Sequence, residues 1–155
     1  MMHLSWQDFE DRIAGAVRRR GVRSAPGIAW ATVWLQACGY PAVTLLAEAF
    51  ADDAKDLVIV RDPLGIDLHN VSCVYLAASI TADVLRNGRA FLRNVRHGLY
   101  LVPFSVRDGL AIGCPVDPAF ALGGPREKNP YTDKLAAARA GGLAIDDAPL
   151  AAVTG

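Results

Sequence analysis

The stretch from Asp67 to Cys73 gathers a carboxylate, an imidazole, a hydroxyl and a thiol within one short segment. A helix starting at Ser72 puts Cys73 in its first turn, where unpaired N–H groups and the helix dipole favour a thiolate. His69, four residues earlier, is then spaced to act as its base. It could equally form half of a soft metal site with Cys73, and His97 is available to complete either arrangement. The competing reading is structural. A cysteine followed by valine, tyrosine and alanines is more often a small buried hydrophobe, with Ser72 or Asn70 simply capping the helix. No metal is expected, because further ligands would have to come from distant positions without a recognised spacing.

A second candidate is the loop Gly123–Pro130, in which Arg126 and Lys128 could hold a small anionic metabolite together with backbone amides. It lacks the GxxxxGK[ST] order, and its prolines remove donors. HExxH, GxSxG and GxGxxG are all missing, and no cofactor is expected. Sixteen basic and sixteen acidic residues cancel, so no overall field draws in nucleic acid or an anionic membrane. Phe91, Tyr100 and Phe104 lie among leucines and valines, as core aromatics do, rather than among basic residues as in a nucleic-acid reader. No apolar run reaches the roughly 18 residues that a membrane span requires. The N-terminal stretch is acidic and amphipathic, unlike a signal peptide. Three widely spaced cysteines, Cys38, Cys73 and Cys114, suit a reducing compartment better than a disulfide framework. The expected location is the cytoplasm.

The elements that must position these residues begin with helices. The 155 residues fit a single domain of 1–155, with a helical part over 5–51, a mixed sheet and helix part over 57–142, and a tail, 143–155, expected to be mobile. Trp6, Phe9, Ile13, Ala16 and Val17 share one helical face behind Ser5, and Arg18, Arg19 and Arg20 offset the dipole before Gly21. Ser24 and Pro26 start a second helix whose inward face carries Ile28, Ala31, Trp34, Leu35 and Cys38. Tyr40 and Pro41 start a third, with Val43, Leu46, Ala47 and Phe50 inside. Loops this short pack the three helices on one another.

The pattern then changes. Leu57 to Val60 is a β-branched run, the residues from Asp62 to Gly65 are turn chemistry, and Ile66 to Leu68 is the returning strand. Helical spacing resumes from Ser72 and closes at Asn87 and Gly88. Strands are expected over 90–95, from 97 or 98 to 106, and over 110–116, with Asp108 and Gly109 turning a hairpin and a short fourth strand over 119–122. Pro103 makes its strand an edge or a bulge. A last helix runs from Tyr131 or Thr132 to Arg139. The fold class is therefore α+β: an N-terminal three-helix segment packed with a small, mainly antiparallel sheet and one or two further helices.

Two blocks carry a family resemblance. Residues 18–50 read RRRGVRSAPGIAWATVWLQACGYPAVTLLAEAF. Residues 73–104 join Cys73, an alanine-rich helix and LYLVPF. Together they resemble an uncharacterised bacterial family, domain of unknown function 3726. The resemblance implies a cytosolic protein and assigns no catalytic residues.

Two functional readings follow. The first is a small interaction or regulatory protein, a homo-oligomer or the small subunit of a larger complex. Its interface would hold Trp30, Leu99, Leu101 and Phe104, the apolar residues of a doubly apolar edge strand and its neighbour. Its partner would be protein, either itself or a larger subunit. The second is a small-molecule enzyme using Cys73 with His69 or His97. The sequence leaves open whether the protein is an enzyme.

Overall fold

A computed structural model describes residues 1–111 and 131–155. The expected strand over 110–116 from residue 112 onward, the one over 119–122, the candidate anion ligands Arg126 and Lys128, and Cys114 lie outside the described residues.

Helices α1 (Trp6–Arg19), α2 (Ala25–Ala37) and α3 (Ala42–Phe50) form the N-terminal bundle. Ser5 caps α1 by accepting the Asp8 N–H at 3.1 Å. The apolar stripe read from the sequence points inward, with Phe9, Ile13, Val17, Leu35 and Leu46 fully buried. Each such side chain contributes about 1.5–3 kcal/mol by leaving water. Helix α2 is apolar on nearly every side because it lies between α1 and the rest of the core.

After α3 the chain runs extended to β2 (Arg61–Asp62), turns into β3 (Gly65–Asp67) and enters α4 (Cys73–Asn87). Strand β4 (Leu92–Arg93) pairs parallel with β3, and β2 pairs antiparallel with it, giving the order β2-β3-β4. Gly65 is required here: its φ is +115°, and a Cβ would stand 2.0 Å from the Phe91 carbonyl oxygen.

The α+β class and the packed three-helix segment hold. The region after β4 differs from expectation. Residues 98–106 are not a strand: a 3-10 turn (Gly98–Tyr100) leads into α5 (Leu101–Asp108). Pro103 falls in the first turn of α5, where its missing N–H would have had no partner anyway. Gly109 adopts positive φ (69°) to end α5, and the Leu110 N–H returns to the Ser105 carbonyl at 2.8 Å. The Asp108–Gly109 signal was a left-handed glycine, and it serves a helix end instead of a hairpin.

The C-terminal part also departs from expectation. Helix α6 (Thr132–Gly141) leads to β5 (Leu143–Ile145), which pairs antiparallel with β1 (Met2–Leu4), and α7 (Asp147–Thr154) packs on α3 and α1. Leu143, Ile145, Leu150 and Val153 are buried, so the tail is part of the core. Among the described residues, two small sheets and four helices beyond the first three stand where one sheet with one or two helices was expected.

A polar knot fastens α5 to the bundle. The buried Tyr100 hydroxyl donates to the Ala42 carbonyl at 3.0 Å and lies 2.8 Å from Thr32 Oγ1, which itself donates to the Ile28 carbonyl. Two hydroxyl protons thus serve three contacts.

Candidate functional site

Two loops lie side by side on the α4 end of the molecule, 68–72 leading into α4 and 94–97 leading out of β4. The Leu68, Asn70 and Cys73 N–H groups donate to the carbonyls of Arg93, Asn94 and Arg96 at 2.9, 3.1 and 2.9 Å. All four described non-glycine residues with positive φ sit here: His69 (50°), Asn70 (60°), Asn94 (54°) and His97 (56°). Asparagine and histidine tolerate this region better than most residues, and such conformations persist only where surrounding bonds enforce them. Asp67 supplies one enforcement. Its Oδ1 accepts the Asn94 side-chain amide and the His69 N–H, both at 2.9 Å. The Asn94 bond first and the His69 N–H second hold the Asp67 carboxyl below its ordinary range.

His97 supplies the other. Its Nδ1 lies 2.7 Å from Ser72 Oγ, and its Nε2 lies 3.0 Å from Glu48 Oε2 on α3. Ser72 Oγ already accepts the Val74 N–H at 3.1 Å as the cap of α4. The Glu48 carboxylate can only accept, so Nε2 carries the proton between them, and in the neutral ring Nδ1 then accepts the Ser72 hydroxyl. This resembles a serine–histidine–carboxylate relay, but its chemistry is different. In hydrolases the serine sits on Nε2 and the carboxylate on Nδ1. Here the order is reversed, and Ser72 is fully buried and committed to the helix cap. The arrangement is a clamp that ties α3, the start of α4 and loop 94–97 together.

The sequence-selected residues are now placed. His97 is carried to the N-terminus of α4 and bonded to Ser72, one residue before Cys73. Cys73 has no exposed surface. His69 has an exposed ring, 3.6 Å from the Asp67 carboxylate. Glu48 was missed, although it is the single charged residue of α3. Around the clamp, Asp52 and Arg96 form an ion pair at 3.0 Å whose atoms are misaligned for a hydrogen bond. Lys55 donates to the Phe50 and Asp52 carbonyls at 3.2 and 2.8 Å, closing the C-terminal end of α3. Burial, with Asp52 second, pushes the Tyr75 hydroxyl up to about 12, and Arg20 opposes them.

The expected interface residues are placed differently from the edge strand they were read on. Leu101 and Phe104 are buried, and Leu99 and Trp30 are half-buried. Trp30 packs edge-to-face on Phe104 at 5.3 Å, with the Arg107 guanidinium over both rings. These four residues join α5 to α2.

A different surface is exposed. Apart from Met1 and Met2, the large exposed hydrophobics among the described residues are Val58, Val60, Leu64, Leu85, Phe91 and Val95. They fall on 58–64 and 85–95, two segments held together by bonds. Arg61 donates to Asp83 at 2.7 Å and to the Arg89 and Gly88 carbonyls. Burial alone would raise the Asp83 pKa, but Arg61 and Asn87 bind both oxygens and keep the carboxyl below its usual range. Leu57, Val58 and Ile59 face Ser79, Ala82 and Arg86 of α4 across an open cavity of about 370 Å³.

From residue 55 to residue 62 burial alternates strictly. Lys55, Leu57, Ile59 and Arg61 are half-buried, whereas Asp56, Val58, Val60 and Asp62 are exposed. This is strand periodicity, as the sequence suggested. Yet the backbones of Val58 and Ile59 make no hydrogen bond with any described residue. Among the described residues, no group of three histidine, cysteine, aspartate or glutamate side chains is placed to hold a metal ion. Among the described residues, no helix is long and apolar enough to cross a membrane. No family model, curated protein or solved structure matches this chain.

Proposed function

We propose that this is a small cytoplasmic interaction protein that works as a homo-oligomer or as the small subunit of a larger complex. One observation carries the reading: the exposed apolar side chains are gathered on segments 58–64 and 85–95 instead of being scattered. Val58 and Val60, exposed by 81% and 66%, and Phe91, exposed by 73%, are the kind of side chains a protein partner covers. The extended run 57–60 adds backbone at Val58 and Ile59 that is unpaired among the described residues, a liability that monomeric proteins blunt. The enzyme reading is less well supported, because Cys73 has no exposed surface from which to attack a substrate.

The test is light scattering after size exclusion through a concentration series, with wild type beside a Val60→Asp, Phe91→Asp double variant. The expected result is a wild-type mass above that of one chain, which falls to one chain in the variant. A wild type that stays a single chain at the highest concentration contradicts the homo-oligomer. A variant that associates as wild type does moves the interface to another surface.

A further inference from the structure

We propose that the partner of the exposed strip is a second copy of this chain, joined to it by antiparallel pairing of residues 56–60 about a two-fold axis at Val58. The inference rests on the interaction reading above and assigns its occupant. Three observations carry it. The strip alternates as a strand does, and its backbone at Val58 and Ile59 has no partner among the described residues. Strand β2, which continues it, is bonded among the described residues on one side only, to β3, so the strip extends a sheet edge there. A strand added to such an edge satisfies the open donors and acceptors, whereas a helix or a small molecule leaves most of them to water.

Charge selects the second copy. At one end of the strip stand Asp53 and Asp56, exposed and in no ion pair among the described residues. Arg86 stands beside the middle of the strip and Arg89 toward its other end, both exposed and in no ion pair among the described residues. Arg86 borders the cavity beside Leu57–Ile59, and the Arg89 carbonyl accepts from Arg61. A two-fold axis across the strip sets the acidic end of each copy against the basic end of the other, so the complementarity is satisfied twice.

The centre of the pairing follows from parity and charge. Symmetric antiparallel strands must oppose residues of one face, so the axis passes through a residue. Centring on Ile59 sets Asp56 against Asp62 of the second copy. Centring on Val58 opposes valine to valine and Asp56 to Val60 instead. Lys55 and Arg61 then face each other, but Lys55 is already held by two carbonyls and Arg61 by Asp83.

Two charge-reversed proteins test this: Asp53→Arg with Asp56→Arg, and Arg86→Glu with Arg89→Glu. All four side chains are exposed, so both variants should fold, and far-UV circular dichroism verifies that. Each variant alone should self-associate roughly tenfold or more weakly than wild type, because attraction at both ends becomes repulsion. Mixed in equal amounts, the two should form a heterodimer of near wild-type affinity in sedimentation velocity. Wild-type dimers that dissociate with Val60→Asp, Phe91→Asp yet ignore the charge reversals would overturn the two-fold strand pair and leave the interaction reading standing. A monomeric wild type overturns the second copy as the occupant.

Discussion

Removing His97 leaves the Ser72 hydroxyl proton without an acceptor in a fully buried site and puts a less tolerant residue at φ 56°. His97→Ala is predicted to cost about 2–4 kcal/mol in urea unfolding, whereas Glu48→Ala, at the half-exposed end of the clamp, should cost about 1 kcal/mol or less. Equal losses would contradict the clamp. Asp67 gives a pH signature. Its folded pKa lies below the unfolded one, so its stabilisation is complete above the ordinary carboxylate pKa and disappears as pH falls through the lowered value. Asp67→Asn should therefore show a shallower acid limb when melting temperature is followed against pH. The thiols test the enzyme reading at the same scale. Burial, partly offset by Lys134, pushes Cys38 up to about 11, and Cys73 is without exposed surface. In a Cys114→Ser background neither should label at neutral pH until the protein unfolds, and fast labelling of Cys73 would revive a nucleophile there. His97 was legible as a residue of interest, and Ser72 as a cap. Their bond was not, because it joins positions 25 residues apart through loop pairing that no local pattern encodes.

At the scale of elements, the helices of the first fifty residues were readable because their apolar periodicity is uninterrupted and their caps and glycines stand at the ends. Residues 98–108 were misread because the run Leu99–Phe104 is apolar throughout, and periodicity cannot then separate strand from buried helix. The pairing of Leu143–Ile145 with Met2–Leu4 spans nearly the whole chain and involves three residues a side, too few for alternation to register. Two substitutions probe the joints between elements. Tyr100→Phe removes the donor to the Ala42 carbonyl and should cost about 1–3 kcal/mol in chemical denaturation. Gly65→Ala drives a Cβ into the Phe91 carbonyl, so β4 must leave β3. Hydrogen exchange of the Ile66 and Leu68 amides, which bond to Phe91 and Arg93, should rise selectively.

Among the described residues the large exposed apolar groups, the two N-terminal methionines aside, fall on segments 58–64 and 85–95. Of the interface residues expected from the sequence, Leu101 and Phe104 joined the core because α5 turned them inward, and the exposed role passed to Val58 and Val60, in a run the sequence marked only as a short strand. What composition could not show is that this strand runs along α4 without a hydrogen-bonded neighbour among the described residues. Sedimentation equilibrium of the wild type and of Val58→Asp tests the central claim most directly, since the substitution puts two carboxylates face to face on the proposed axis. The account predicts a two-chain mass for the wild type that becomes a one-chain mass in Val58→Asp, with unchanged circular dichroism. A wild type of one-chain mass throughout, or a Val58→Asp protein that remains a dimer, would contradict it.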